Sequence, residues 1–137
     1  MLLQLYLHFP FCKRKCFYCD FCSAPADDGT VAAYCSALKK EICLTAEKYP
    51  GARVSTVFLG GGTPSLVPAA QMRGVLEELR RRFDVLPDAE ITAEGSPGTL
   101  SPRWLEAACA CGLYRLSLGM QAAQERLLKA IGRIHTF

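Results

Sequence analysis

Four of the chain's eight cysteines fall in one short run, HFPFCKRKCFYCDFCS. Cys12, Cys16 and Cys19 are spaced C-x3-C-x2-C, and Cys22 follows shortly after. Soft thiolates select zinc, copper(I) or iron–sulfur clusters. A structural zinc site is closed by four protein ligands, and Cys12, Cys16, Cys19 and Cys22 could supply four. Zinc sites usually pair their ligands across two separated knuckles, and the sequence offers no second pair. Cys109 and Cys111 are separated by one residue on an expected helix, so they point to different faces. These two, with Cys35 and Cys43, read as small core residues. A four-iron cluster on only three cysteines would leave one iron open to a ligand that is not protein. The spacing alone leaves both chemistries open.

The remaining composition narrows the context. A chain of 137 residues, half of them hydrophobic, can bury one core of ordinary size. Its net charge of +3 is spread along the sequence and gives no reason to expect nucleic acid. Lys13-Arg14-Lys15 is the exception, because it lies inside the cysteine run. The other basic run, Arg80-Arg81-Arg82, reads as a solvated helix end. No stretch is long and apolar enough to span a bilayer. The opening MLLQLYLHFPF has neither a basic region nor a small-residue cleavage site, so a cytoplasmic location is expected. Cysteines in such a compartment bind metals or catalyse more often than they form disulfides.

The elements that must position the cysteines follow from periodicity. LLQLYLHF reads as a buried strand, and VAAYCSALKKEICLTAEKY as a helix with Val31, Tyr34, Leu38 and Ile42 on one face. VSTVFL is a β-branched strand and GGGTPS a break. PAAQMRGVLEELRRRF is a second helix with Pro68 suited to its first turn. EITAE is a third strand. SPRWLEAACACG opens on Ser101 as N-cap and closes on Gly112. YRLSLGM is a fourth strand and QERLLKAIG a short helix. Alternation of this kind means an α/β fold of parallel strands with helical crossovers. Sites in such folds gather at the carboxyl ends of the strands, which is where the cysteines, the glycines, Glu94 and Gln121 fall.

C-x3-C-x2-C after a first strand, with an aromatic before the last cysteine, resembles the radical S-adenosylmethionine (SAM) superfamily. YLHFPFCKRKCFYCDF, TVFLGGGTPSL, AEITAEGSPGT, YRLSLGMQ and LLKAIGRIH then follow in order. Together they resemble the oxygen-independent coproporphyrinogen III oxidase group, and within it the haem-chaperone branch. The resemblance implies the N-terminal part of a partial (β/α)6, TIM-like barrel. Residues 1–137 would form the first part of the SAM core domain, with the rest of the barrel and a C-terminal domain outside them. On that reading the chain by itself would expose apolar strand edges and associate.

The resemblance also implies cofactors and roles. Cys12, Cys16 and Cys19 would hold a [4Fe–4S] cluster whose open iron binds the amino and carboxylate groups of SAM, and an electron from the cluster would cleave the sulfonium. Tyr6 and Tyr18 match aromatics that border the cluster and SAM. Gly61, Gly62 and Thr63 match a glycine-rich SAM-binding segment, Glu94 a ribose-contacting acid, and Gln121 and Arg133 further SAM contacts. His8 and His135 match motif positions without a ligand role. The oxidase branch carries an extra cysteine two residues after the third. Here Phe21 stands at that place, so Cys22 reads as a neighbouring thiol. Implied for a longer chain are haem binding, a haem acceptor protein and a flavodoxin- or ferredoxin-like electron donor. Coproporphyrinogen III decarboxylation is the alternative, and a zinc-stabilised interaction module the second. The positive charge of Lys13, Arg14 and Lys15 would favour a reduced cluster and steer an acidic donor. EGSPGT in place of the group's usual EANPGT, and GMQ in place of GVQ, mark a divergent copy.

Overall fold

In the computed structural model, which describes residues 1–137, four strands form one parallel sheet in the order β1-β2-β3-β4. They are β1 (Leu2–Phe9), β2 (Arg53–Gly61), β3 (Asp84–Gly95) and β4 (Arg115–Leu118), alternating with helices α1 (Asp28–Lys48), α2 (Ala69–Arg82), α3 (Pro102–Ala110) and α4 (Glu125–Ala130). No helix is long and apolar enough to cross a membrane.

Strand alternation assigns the two faces of the sheet. Leu7 and Phe9 of β1, Val57 and Leu59 of β2, and Ile91 and Ala93 of β3 are buried toward the helices. Against them pack Val31, Cys35, Leu38 and Ile42 of α1, Met72, Val75, Leu76 and Leu79 of α2, and Trp104 and Ala108 of α3. Helix α1 lies beside α2, and α2 beside α3. The opposite face is polar and aromatic. Its middle row runs Tyr6, Phe58, Thr92, Arg115, and the next row toward the carboxyl ends includes His8, Gly60, Glu94 and Ser117. Arg115 pairs with Glu90 on this face at 2.9 Å.

Several boundaries differ from the sequence reading for physical reasons. Strand β2 continues through Gly60 and Gly61, so the break begins only at Gly62. Strand β3 starts at Asp84, ahead of Glu90. Val54 pairs with Val85 and Thr56 with Glu90, so residues 86–89 loop out of the ladder. Pro87 sits in that bulge, where its missing N–H costs no ladder bond. Pro68 caps α2 rather than occupying its first turn. The Arg80–82 run is not merely solvated. Arg80 donates to the Cys111 carbonyl at 3.1 Å, closing the end of α3, while Arg81 and Arg82 both pair with Glu78. Cys35 and Cys111 are core residues as expected, but Cys109 is exposed and Cys43 half-buried.

Helix α1 begins at Asp28, three residues before Val31, because Asp27 caps it. The Asp27 carboxylate accepts the Thr30 N–H at 2.7 Å, and that bond holds its pKa below the ordinary value. A depressed carboxylate contributes stability that is complete above its unfolded pKa and is lost as pH falls through the folded one. Asp27→Asn keeps a capping oxygen without the charge. The melting temperature of the wild type should therefore fall more steeply than that of Asp27→Asn as pH drops below about 4. Parallel acid limbs for the two proteins would show that the cap does not set this dependence.

Candidate cofactor site

The cysteines lie on the loop between β1 and α1, and that loop is closed at its base. Cys12 N donates to Ala24 O at 3.1 Å and Ala24 N to Pro10 O at 3.0 Å. Phe11 anchors the start of the loop in the core, edge-on to Tyr34 at 5.2 Å. Within the loop, Lys15 Nζ donates to the carbonyls of Phe21 and Ser23. His8 Nε2 lies 2.9 Å from the Cys22 carbonyl, and His8 Nδ1 lies 3.1 Å from the Tyr6 hydroxyl. Phe17 N donates to Ile131 O at 3.1 Å, which ties the loop to the end of α4. These contacts hold the three spaced thiols on a fixed frame.

The glycine segment approaches this frame closely. Gly61 has φ +114°, and Gly62 N donates to Phe9 O at 2.9 Å. A Cβ on Gly62 would lie 2.3 Å from Phe11 O. Glu94, at the end of β3, accepts the Gly61 N–H through Oε2 at 3.2 Å. The loop after β3 is braced by Ser65, which is buried and bonds Thr99 Oγ1 at 2.5 Å. Beyond β4, Gln121 adopts φ +68°. A non-glycine residue there is strained, and such strain collects at ligand sites.

A cavity of about 300 Å³ opens where these segments meet. Cys12, Cys16, Cys19 and Tyr18 line it from the first loop, Gly62 and Thr63 from the second, Glu94 from the third strand end, Gln121 from the loop after β4, and Arg133 from just beyond α4. Tyr6 and Gly61, read from the sequence as cofactor contacts, are not on its wall. Tyr6 stacks on Phe58, ring centroids 6.0 Å apart, and reaches the loop only through His8. Gly61 acts on Glu94 through its N–H. Cys22 is exposed and off the wall. The Tyr18 hydroxyl is pushed above its ordinary pKa, mainly by burial; Arg133 opposes the shift, and Cys16 adds to it.

No three His, Cys, Asp or Glu side chains converge where a single metal ion could sit. A four-iron cube makes no such demand, because each thiolate binds a separate iron. Residues the sequence reading passed over also face the cavity. Ser96 and Thr99 are on its wall, and Ser96 Oγ accepts from Arg133 at 2.9 Å. The serine in EGSPGT marked that place as unusual, but nothing in the sequence pointed to Arg133 as its partner.

Comparison with known proteins bears on the fold and the family. The heme chaperone HemW of Synechocystis is 40% identical to this chain over 136 residues, covering 95% of this chain and 32% of that protein. The heme chaperone HemW of Escherichia coli is 39% identical, covering 97% and 35%. The oxygen-independent coproporphyrinogen III oxidase of Bradyrhizobium diazoefficiens is 38% identical, covering 98% and 30%. The chain thus spans about a third of the length of the relatives it matches. The solved structure of E. coli coproporphyrinogen III oxidase (HemN), described as a radical SAM enzyme, superposes with a TM-score of 0.91 at 32% identity, covering 98% of this chain and 31% of that one. The fold is therefore the first part of that enzyme's TIM-like barrel. The radical SAM superfamily profile matches residues 6–137, and the chain belongs to that superfamily.

Proposed function

We propose that Cys12, Cys16 and Cys19 hold a [4Fe–4S] cluster, that the adjoining wall binds SAM, and that the whole protein serves haem binding and transfer. One observation carries the cofactor reading: three free thiols at the C-x3-C-x2-C spacing share a cavity with a glycine turn, a strand-end carboxylate and a guanidinium. The residues fit the group. The fourth thiol, Cys22, stays off the wall, so one iron is left for a non-protein ligand. Arg133 lines the cavity and its Nε is buried without a partner, a donor left over for a group such as the SAM carboxylate. Gly62 lets the backbone of the cysteine loop approach the glycine turn closely. Superfamily membership implies the cluster and SAM; when bound, they supply one-electron cleavage of a sulfonium.

The chain's own residues bind and orient. Glu94 spends Oε2 on Gly61 N–H, leaving Oε1 for ribose hydroxyls. Thr63, Gln121 and Ser96 offer further polar groups along the same wall. The closed base of the cysteine loop, Cys12 N to Ala24 O and Ala24 N to Pro10 O, ties together the two ends of the segment that carries the thiols.

For the role of the whole protein, Phe21 carries the distinction. It occupies the place where the oxidase branch carries its extra cysteine, and it lines the cavity. The second reading, decarboxylation of coproporphyrinogen III, is favoured by the solved neighbour and by the Bradyrhizobium relative. The test is anaerobic reconstitution followed by two assays: transfer of haem to an apo-haem protein, and release of carbon dioxide from coproporphyrinogen III. Haem transfer without decarboxylation is expected; the reverse result would move the protein to the second reading. In the same preparation, Glu94→Gln should weaken SAM binding about tenfold by removing a charge-assisted acceptor. Unchanged affinity would remove Glu94 from the site.

A further inference from the structure

Arg133, just beyond α4, touches three strand-end segments at once. Its Nη1 donates to Cys16 Sγ at 3.7 Å. Its Nη2 donates to Ser96 Oγ at 2.9 Å and to the Gly119 carbonyl. The Ser96 and Gly119 bonds fix the plane of the guanidinium, and a fixed plane aims Nη1 at the sulfur. The basic run of the cysteine loop does not do this. Lys15 is engaged by the Phe21 and Ser23 carbonyls, and Arg14 lies over the Phe17 ring, 5.6 Å from its centroid.

Hydrogen bonds to ligand sulfurs and nearby positive charge set the reduction potential of iron–sulfur clusters. We infer that Arg133 is a positioning residue: anchored by Ser96 and the Gly119 carbonyl, it places its guanidinium on the Cys16 sulfur and so raises the reduction potential of the cluster. This rests on the cluster assignment proposed above. The reduction concerned is a single-electron one. An external reductant such as titanium(III) citrate gives one electron to [4Fe–4S]2+, producing [4Fe–4S]+, and no bond is made or broken. The guanidinium stabilises the more negative product more than the oxidised state.

Ser96 gives the inference a second handle. Its hydroxyl holds Arg133 without touching any cysteine. Removing it should loosen the guanidinium while leaving both the charge and the thiolates in the protein.

The test is an EPR-monitored redox titration of the anaerobically reconstituted protein without SAM, with iron content measured in each sample. Arg133→Met should shift the midpoint to more negative potential. Arg133→Lys, which keeps charge but lacks the planar fork, should shift it less. Ser96→Ala should shift it in the same direction. Lys129→Met, on the exposed side of α4 and off the cavity wall, should leave it in place and so rule out a bulk-charge effect. Wild-type midpoints for Arg133→Met and Ser96→Ala at wild-type iron content would overturn the inference while leaving the cluster assignment intact. If Arg133→Met does not retain iron, Ser96→Ala decides alone, and an unshifted midpoint there overturns it. A wild type that takes up no four-iron cluster would overturn the cluster assignment and this inference together.

Discussion

Cys12→Ala, Cys16→Ala and Cys19→Ala are each expected to abolish loading of a four-iron cluster, while Cys22→Ala loads as the wild type does. Each of the first three removes a thiolate from the cavity wall, and two remaining thiolates cannot hold a cube that already lacks a fourth protein ligand. Cys22 contributes differently. Its carbonyl faces His8 Nε2, but its side chain is exposed and off the wall. Alanine keeps that carbonyl, so the staple from β1 to the end of the loop survives. Iron and sulfide per chain, with the visible absorption of the reconstituted protein, measure the outcome. Iron loss in Cys22→Ala as complete as in the other three would mean four protein thiolates, a closed site, and no open iron for SAM.

The order of elements was legible because it rests on local rules. Short apolar and β-branched runs gave the strands, and Ser101, Pro102 and Gly112 bounded α3 as capping chemistry requires. The cysteine spacing and the glycine turn were legible for a similar reason, since both are short-range constraints. What escaped depends on partners distant in sequence. Arg80 reads as one of three solvated arginines until α3 is packed beside α2 and presents its last carbonyls. Lys15 reads as a free charge until the loop folds back and brings it two carbonyls. The early start of β3 was hidden by Pro87, which argues against a central strand; the chain resolves the conflict by looping residues 86–89 out and resuming the ladder at Glu90.

Most residues proposed for the site from the sequence line one cavity, and the two that do not are Tyr6 and Gly61. Tyr6 lies on the face of the sheet opposite the helices, as its alternation with Leu7 requires, but in the middle row, away from the strand ends where the cavity opens. His8, one row nearer the ends, makes the contact with the loop. Gly61 lies at the right end of its strand, but its N–H is turned to Glu94. A motif match places a residue in the right neighbourhood. Which atom faces the ligand is decided by pleat and register.

Gly62→Ala should cost more than any other single methyl group added at this site. An alanine Cβ would stand 2.3 Å from Phe11 O, 2.8 Å from Phe11 C and 2.9 Å from Ser23 Cβ. Those atoms belong to the start and the end of the cysteine loop, so one added carbon presses on both of its closing segments. Neither contact can be relieved by swinging a flexible side chain, because Phe11 presents backbone and is itself anchored in the core. Either the loop lifts off the glycine turn or β2 shifts against β1. Overpacking of this kind costs roughly 1–3 kcal/mol, on the order of 4 °C per kcal/mol in melting temperature for a chain of this size. Cys12 adjoins Phe11, so lifting the loop should also displace a thiolate and reduce cluster loading. Gly74→Ala supplies the contrast. Gly74 lies within α2, and a Cβ there meets nothing within 4 Å. Replacing glycine by alanine at such a helical position should stabilise the protein by roughly 0.5–1 kcal/mol, since the freedom lost by the unfolded chain on folding is smaller. Thermal melts and iron content of the two variants, beside the wild type, measure both effects. A Gly62→Ala protein that melts with the wild type and loads its full complement of iron would mean that the loop and the glycine turn do not approach as closely as the structure has them.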